Sequence, residues 1–359
     1  MSQVQTLQAP SSIPQVQDAG TATAPNPQQL LLQAGLGYIV SACLQVFVKL
    51  ALPDRMGSGP THLSILAEQA GAHEGHLYRI LRVMEMNGIV QQTEPYVYTL
   101  TPAGMLLRSD AEGSLADTME WLTDPLHLQA YSHLTTSVVS GTITFDHIYG
   151  EPAFQWFSQP ENQKEASLFN NAMTGISNMC LPAILEAYDF SSIRNMVDVG
   201  GGHGAILRTI LKSYPAMQGI VAEMPTVVSD TRLAIASDEL SDRCQAVECN
   251  FFASVPAGGD AYFMKHIIHD WEDSSAIRIL SNIRQVIPSN GRLILAECVV
   301  EEGATPHPGK LLDIEMMVFV GGKERTEEEF RDLLAAGGFR LNHIIPTASP
   351  ISLLEALPA

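Results

Sequence analysis

A short apolar run, Met196, Val197 and Val199, meets four glycines in five positions, Gly200, Gly201, Gly202 and Gly204. A segment with Ile206, Leu207, Ile210 and Leu211 on one helical face follows directly. This spacing predicts a buried strand, a tight turn and an amphipathic helix, in that order. Glycine reaches positive φ at little steric cost and lets a ligand approach backbone that a Cβ would shield. The first N–H groups of a helix have no partner inside it, and that end of the helix favours negative charge. Strand, glycine turn and helix start therefore read as a cradle for a nucleotide-type cofactor. The Gly-x-Gly-x-x-Gly spacing of dinucleotide sites would put its third glycine at Ala205, so the spacing alone does not name the nucleotide.

Downstream, strands and helices alternate. Strands are predicted at 197–199, 218–222, 245–247, 261–264 and 292–296, with a helix over 273–287 that Pro288 stops. Such alternation gives a mainly parallel sheet covered on both faces, and ligands bind outside the carboxyl ends of its strands. Glu223, Asn250, Lys265, His269 and Glu297 all follow predicted strand ends. A carboxylate at Glu223, about twenty residues beyond the glycine turn, is placed to accept both hydroxyls of a ribose. Asn250 and Phe251 offer an amide and an aromatic ring for a purine.

His269-Asp270-Trp271 crowds a His, an acid and a Trp at the mouth of this site. Imidazole titrates near neutral pH and suits a general base. Glu297 and Glu324 are candidate carboxylates to orient it. His266 and His269 have no third ligand placed by spacing, so no metal is expected. Thr326 before Glu327, Glu328 and Glu329 reads as a helix N-terminus.

The N-terminal half is organised differently. Residues 1–27, rich in Gln, Ser, Thr, Ala and Pro, read as a disordered tail. Residues 30–50 read as a helix apolar nearly all round, which needs a cover, and in a small domain a partner subunit supplies it. The stretch 30–52 comes nearest to a membrane span but is interrupted by Gln33, Gly35, Gly37, Gln45 and Lys49, so no membrane partner is expected. Residues 61–101 read as helix, turn, helix and a two-stranded wing. Reading DNA phosphates needs several cations. The second helix offers Arg79 and Arg82 beside Glu74 and Glu85, the wing carries Glu94 with no Lys or Arg, and the net charge is −19. A structural or dimerising use is expected, and no nucleic acid. Residues 110–190 are predicted to be mostly helical, with Trp121, Phe154, Trp156, Phe157, Phe169 and Met173 spread through them. Five scattered cysteines without a Cys-x-x-Cys pair suggest neither disulfides nor zinc, and the N-terminus shows no secretory pattern; a cytoplasmic location fits.

Four motifs stand in order: Val197-Asp198-Val199-Gly200-Gly201-Gly202-His203-Gly204, then Met264-Lys265-His266-Ile267-Ile268-His269-Asp270-Trp271, Ala296-Glu297-Cys298 and Gly321-Gly322-Lys323-Glu324-Arg325-Thr326. With Phe169-Asn170-Asn171-Ala172-Met173, they resemble the plant caffeate-type O-methyltransferases, an S-adenosylmethionine-dependent family with many bacterial and fungal small-molecule members. The resemblance covers roughly residues 28–357. It implies a winged-helix-like dimerisation domain at 28–110, a helical connector at 111–190 contributing to the substrate pocket, and a Rossmann-like α/β methyltransferase domain at 191–359. It also implies an intertwined homodimer and methyl transfer to a phenolic or enolic hydroxyl of a secondary-metabolite acceptor. By position it makes His269 the base, flanked by Glu297 and Glu324. Gly200, Gly202 and Glu223 would hold the methionine end and ribose of the cofactor. Asn250, Phe251, Lys265 and Trp271 would surround its adenine, with Ser177 near the sulfonium. Phe169 and Met173 would line the acceptor pocket. The family usually has Asp at the positions of Glu223 and Asn250; Glu keeps the charge, and Asn keeps an acceptor without it. Some members bind the cofactor without transferring methyl, in hydroxylation or pericyclic steps; retention of His269 argues against that use here, and it stays the first alternative, ahead of a winged-helix DNA-binding regulator.

Overall fold

A computed structural model describes residues 26–359, so the expected tail lies, but for its last two residues, outside the described residues. The first element is a helix, Pro27–Lys49, started by Asn26, whose Oδ1 accepts the Gln28 N–H at 2.9 Å. Only its C-terminal end is buried, through Cys43, Phe47 and Val48. Leu30, Leu31, Leu32, Leu36, Tyr38 and Ile39 stand exposed on the described chain. By length and composition this helix is apolar enough to cross a membrane, with a mean hydropathy of 1.7. Core helices of soluble proteins share that length and composition, so this does not overturn the expectation for 30–52.

Helices Leu63–Ala70 and Glu74–Met86 follow, and a three-stranded antiparallel sheet in the order Thr61–His62, Val97–Leu100, Val90–Glu94 forms the wing. Phe47, Leu52, Leu66, Leu77, Leu81 and Tyr98 are among the residues closing this core. The connector is helical, as its composition predicts, and ends in the long helix Gln163–Ala187. That helix packs against Ala116–Thr123 so closely that a Cβ on Gly175 would lie 2.4 Å from Thr118 Oγ1.

The large sheet has seven strands in the order Cys244–Glu248, Gln218–Glu223, Asn195–Val199, Ala261–Lys265, Arg292–Glu297, Ser352–Pro358, Phe339–Pro346. The first five are parallel. Their near-continuous apolar runs are buried on both faces, as strands of a covered parallel sheet are. One face packs on Ile184, Ile206, Leu207, Ile210 and Leu211, the other on Ile279, Leu280, Ile283 and Phe330. Strands Phe339–Pro346 and Ser352–Pro358 were not among the expected ones; the latter runs antiparallel between Arg292–Glu297 and Phe339–Pro346, with Ser352 opposite Glu297. Thr326 starts Glu327–Ala336 through a reciprocal capping box with Glu329, as the sequence indicates.

Candidate active site

The strand order reverses between Asn195–Val199 and Ala261–Lys265, which opens a crevice at their carboxyl ends. The glycine turn lies at its mouth, with Gly200, Gly202 and Gly204 all at positive φ. Gly200 N–H donates to Ala222 O at 2.8 Å and pins the turn to the neighbouring strand. A Cβ on Gly200 would meet Ile267 Cδ1 at 2.5 Å, and one on Gly201 would meet Asp198 Oδ2 at 2.4 Å. At Gly202 a Cβ would meet nothing within 4 Å, so this backbone faces open space. Glu223 closes the turn from below: Oε2 accepts the Gly202 N–H at 2.8 Å and Oε1 the Met224 N–H at 2.7 Å. Burial pushes its carboxyl above the usual range, while those two bonds act in the opposite sense. Asp198 is pushed up to about 7, chiefly by burial and then by the Glu223 charge.

Three rings form the adjoining wall. Trp271 stands perpendicular to Phe252 at 4.7 Å and to Phe251 at 6.1 Å. Trp271 Nε1 is buried without a hydrogen-bond partner among the described residues. Open backbone at Gly202, a carboxylate at Glu223 and an unmet indole donor beside aromatic rings suit an adenosine-bearing cofactor. Other expected contacts are locally engaged. Asn250 is exposed and its Oδ1 accepts the Phe252 N–H at 3.1 Å. Ser177 Oγ donates to Met173 O at 2.8 Å within the long helix. Lys265 Nζ donates to His266 Nδ1 at 3.2 Å, and burial lowers its pKa.

His269 lies beside this wall and is buried. Its Nδ1 is 2.6 Å from Glu324 Oε1 and 3.8 Å from Glu297 Oε2, and its Nε2 is 3.4 Å from Asp270 Oδ1. Glu324 is thus the hydrogen-bonded partner. Glu297 works mainly on the backbone, with Oε1 accepting the N–H groups of Ile267 (3.1 Å) and Ile268 (2.9 Å). Burial and Asp313 raise Glu324 to about 8. Burial, with Glu297 and Glu324 nearby, raises Asp270 to about 7 against the opposing effect of His269. His269, Glu297 and Glu324 offer ligand-type atoms within 4.8 Å of one another, yet the imidazole nitrogen facing both carboxylates is the one engaged with Glu324.

Several roles here escaped the sequence reading. Fully buried Arg325 donates to Ile268 O, Trp271 O and Asp273 Oδ1, at 3.1, 2.8 and 2.7 Å, and so fixes the loop that carries His269. His266, at φ +52, stacks on His269 with ring centroids 4.8 Å apart. His203 Nδ1 meets Thr174 Oγ1 at 3.0 Å and joins the glycine turn to the long helix. Arg325 and His203 stand inside the quoted motifs, which was the available signal. Phe169 and Met173 lie in one aromatic cluster: Phe169 stacks on Phe157 at 5.1 Å, meets Trp121 edge-on at 5.3 Å, and reaches Trp271 through Phe154.

Comparison with known proteins gives this geometry a family. Residues 32–110 match an O-methyltransferase dimerisation domain and residues 131–340 an O-methyltransferase domain. The chain is 36% identical over 330 residues to the phenazine O-methyltransferase PhzM of Lysobacter antibioticus, covering 92% of this chain and 96% of that one. It is 30% identical over 329 residues to the 8-amino-8-demethylriboflavin N,N-dimethyltransferase of Streptomyces davaonensis, covering 91% and 94%. The solved structure of LaPhzM superposes with a TM-score of 0.89 at 35% identity, covering 93% and 100%. The chain belongs to the O-methyltransferase family, with that family's dimerisation domain ahead of a catalytic domain that uses S-adenosylmethionine.

Proposed function

We propose that the enzyme methylates a phenolic or enolic hydroxyl of a small aromatic secondary metabolite, with His269 as general base and Glu324 as its orienting partner. The observation that carries this reading is the 2.6 Å contact between His269 and Glu324 beside the cofactor wall and the Phe169 cluster. Bound S-adenosylmethionine supplies an electrophilic methyl group. Gly200, Gly202, Glu223, Phe251 and Trp271 hold and orient it in this reading, with Asn250, Lys265 and Ser177 at the edges. Phe169 and Met173 set the acceptor plane. A phenol near pKa 10 and an imidazole near 6.5 differ enough that full proton transfer before attack costs about 4–5 kcal/mol. Transfer to His269 Nε2 during attack avoids most of that, and holding the reactants in line supplies much of the remainder. Glu324 and Asp270 stabilise the imidazolium as it forms. Glu297 keeps the 267–268 backbone, and with it the ring, in place. Incubation with methyl-labelled cofactor and a panel of phenols and arylamines tests the reading; label on the amines alone would replace the hydroxyl assignment.

The pH dependence has a definite sign. Below about 8, protonated Glu324 donates to Nδ1, and the ring proton sits on Nε2, the atom that must be empty to act as base. As pH rises through about 8, Glu324 ionises, Nδ1–H donates to it and Nε2 is freed. Asp270 ionises near 7 and, 3.4 Å from Nε2, strengthens that nitrogen as a proton acceptor. The transfer rate should rise with pH through a value near 8, where Glu324 ionises. Glu324→Gln should remove that inflection and lower the rate by about tenfold, less than loss of the base itself. A profile unchanged in this variant would separate Glu324 from the proton path.

We also propose a homodimer in a reducing cytoplasm. Its support is the dimerisation-domain match, the bare apolar half of Pro27–Lys49, and five buried, unpaired cysteines. Sedimentation should give twice the chain mass at micromolar concentration, and Leu31→Asp with Tyr38→Asp should shift it to monomer. A wild-type monomer under those conditions would end the idea.

A further inference from the structure

Helices Pro125–Ser132 and Gly309–Phe319 pack side by side in the aromatic cluster that holds Phe169 and Met173. Three polar side chains are set into this otherwise apolar region. His127 Nε2 meets Glu315 Oε1 at 2.8 Å, and Tyr131 OH donates to Glu315 Oε2. The His127 ring lies 4.5 Å from Trp121, edge-on, and 4.5 Å from Phe319. His127 is 2% exposed, and its Nδ1 has no hydrogen-bond partner among the described residues. Burial and the adjacent Glu315 hold the Tyr131 phenol well above its ordinary value, so it stays a donor. With the imidazole neutral, two donors into one carboxylate put the ring proton of His127 on Nε2 and leave Nδ1 as a lone pair. The cluster therefore combines one negative charge with one unmet acceptor. A buried acceptor left unmet is costly, and a ligand that supplies the donor removes that cost.

We propose that His127, held by Glu315 and Tyr131, selects the acceptor by receiving a hydroxyl or amino hydrogen on the aromatic ring, distinct from the group that is methylated. This rests on the reading of the Phe169 and Met173 wall as the acceptor site. The charge on Glu315 turns carboxylate-bearing analogues away. The same helix couples recognition to chemistry: Asp313 Oδ1 accepts the Glu324 N–H at 2.8 Å, two residues before Glu315. An acceptor docked on His127 is thus positioned against the element that sets the partner of His269.

The test uses full-length enzyme and matched pairs of bicyclic phenols, alike except for a second hydroxyl or amino group. Wild type should favour the donor-bearing member by roughly tenfold or more in kcat/KM, the worth of one hydrogen bond. His127→Phe should collapse that ratio to about twofold or less, through a larger rise in KM for the donor-bearing member than for the plain phenol. His127→Leu, which adds no bulk, should do the same, and Glu315→Gln should reduce the ratio in part. Equal losses for both members, a retained ratio, or preference for a carboxylate-bearing analogue would overturn the assignment. Binding of the same pairs to enzyme saturated with S-adenosylhomocysteine, read by calorimetry, separates it from the methylation reading. A ratio in binding without transfer keeps His127 and removes the reaction; transfer without a ratio does the reverse. Neither binding nor transfer overturns both.

Discussion

His269→Gln should leave the fold and cofactor affinity near wild type while methyl transfer to a neutral hydroxyl falls by roughly 10² to 10⁴. Gln keeps a donor for Glu324, so the buried carboxylate is not stranded, and the glycine turn is built from other residues. What Gln cannot do is take a proton. An acceptor that is already ionised has none to give, and should lose little in the variant. The contrast between neutral and ionised acceptors, measured side by side across pH, separates base catalysis from packing. Equal slowing of both would make His269 a positioning residue. Full activity on the true acceptor would end the base assignment and favour a mechanism that relies on proximity alone.

Glu223→Ala should weaken binding of S-adenosylmethionine by about 10-fold to about 150-fold for each charge-assisted hydrogen bond lost, at about 1.5–3 kcal/mol each. Two losses add here. The carboxylate offered to the ribose disappears, and so do the 2.8 and 2.7 Å bonds that brace Gly202 and Met224. Glu223→Gln should fall between, because an amide has one oxygen to accept with where the carboxylate has two. Calorimetry with cofactor and with its demethylated product reads the effect without any acceptor. Unchanged affinity in Glu223→Ala would remove this residue from the site.

The cradle was legible because its signals are local. Glycines at 200, 201, 202 and 204, an apolar strand before them and an amphipathic helix after them leave one way to fold. The strand-end positions of Glu223, Lys265, His269 and Glu297 followed from the same alternation. Which carboxylate touches the imidazole did not follow. Glu297 and Glu324 were equal candidates, and the choice depends on how Gly322 packs: a Cβ there would lie 1.9 Å from His269 O, so only glycine lets the 321–326 segment come this close. Nonlocal pairing also hid the strands Phe339–Pro346 and Ser352–Pro358, since no period within either says that the second slots in beside Arg292–Glu297. Asn250 was chosen by type and position and Ser177 through the resemblance alone, and local turn and helix bonds that sequence does not reveal engage both.

Ser352–Pro358 has a bearing on how the enzyme is made. It comes after every other described strand of the sheet in chain order, yet it lies inside the sheet, against the strand that carries Glu297. Until it docks, Arg292–Glu297 offers an open edge, and open edges invite pairing with other chains. Glu355 in that last strand also secures Tyr188, at the end of the long helix, and Asn342 across the sheet. A nascent chain halted before 352 would therefore have its cradle sequence complete and its catalytic strand uncovered. Such intermediates should be soluble only when shielded, and a bulky insertion directly after Pro358 should lower the yield of folded enzyme far more than one directly before Pro27.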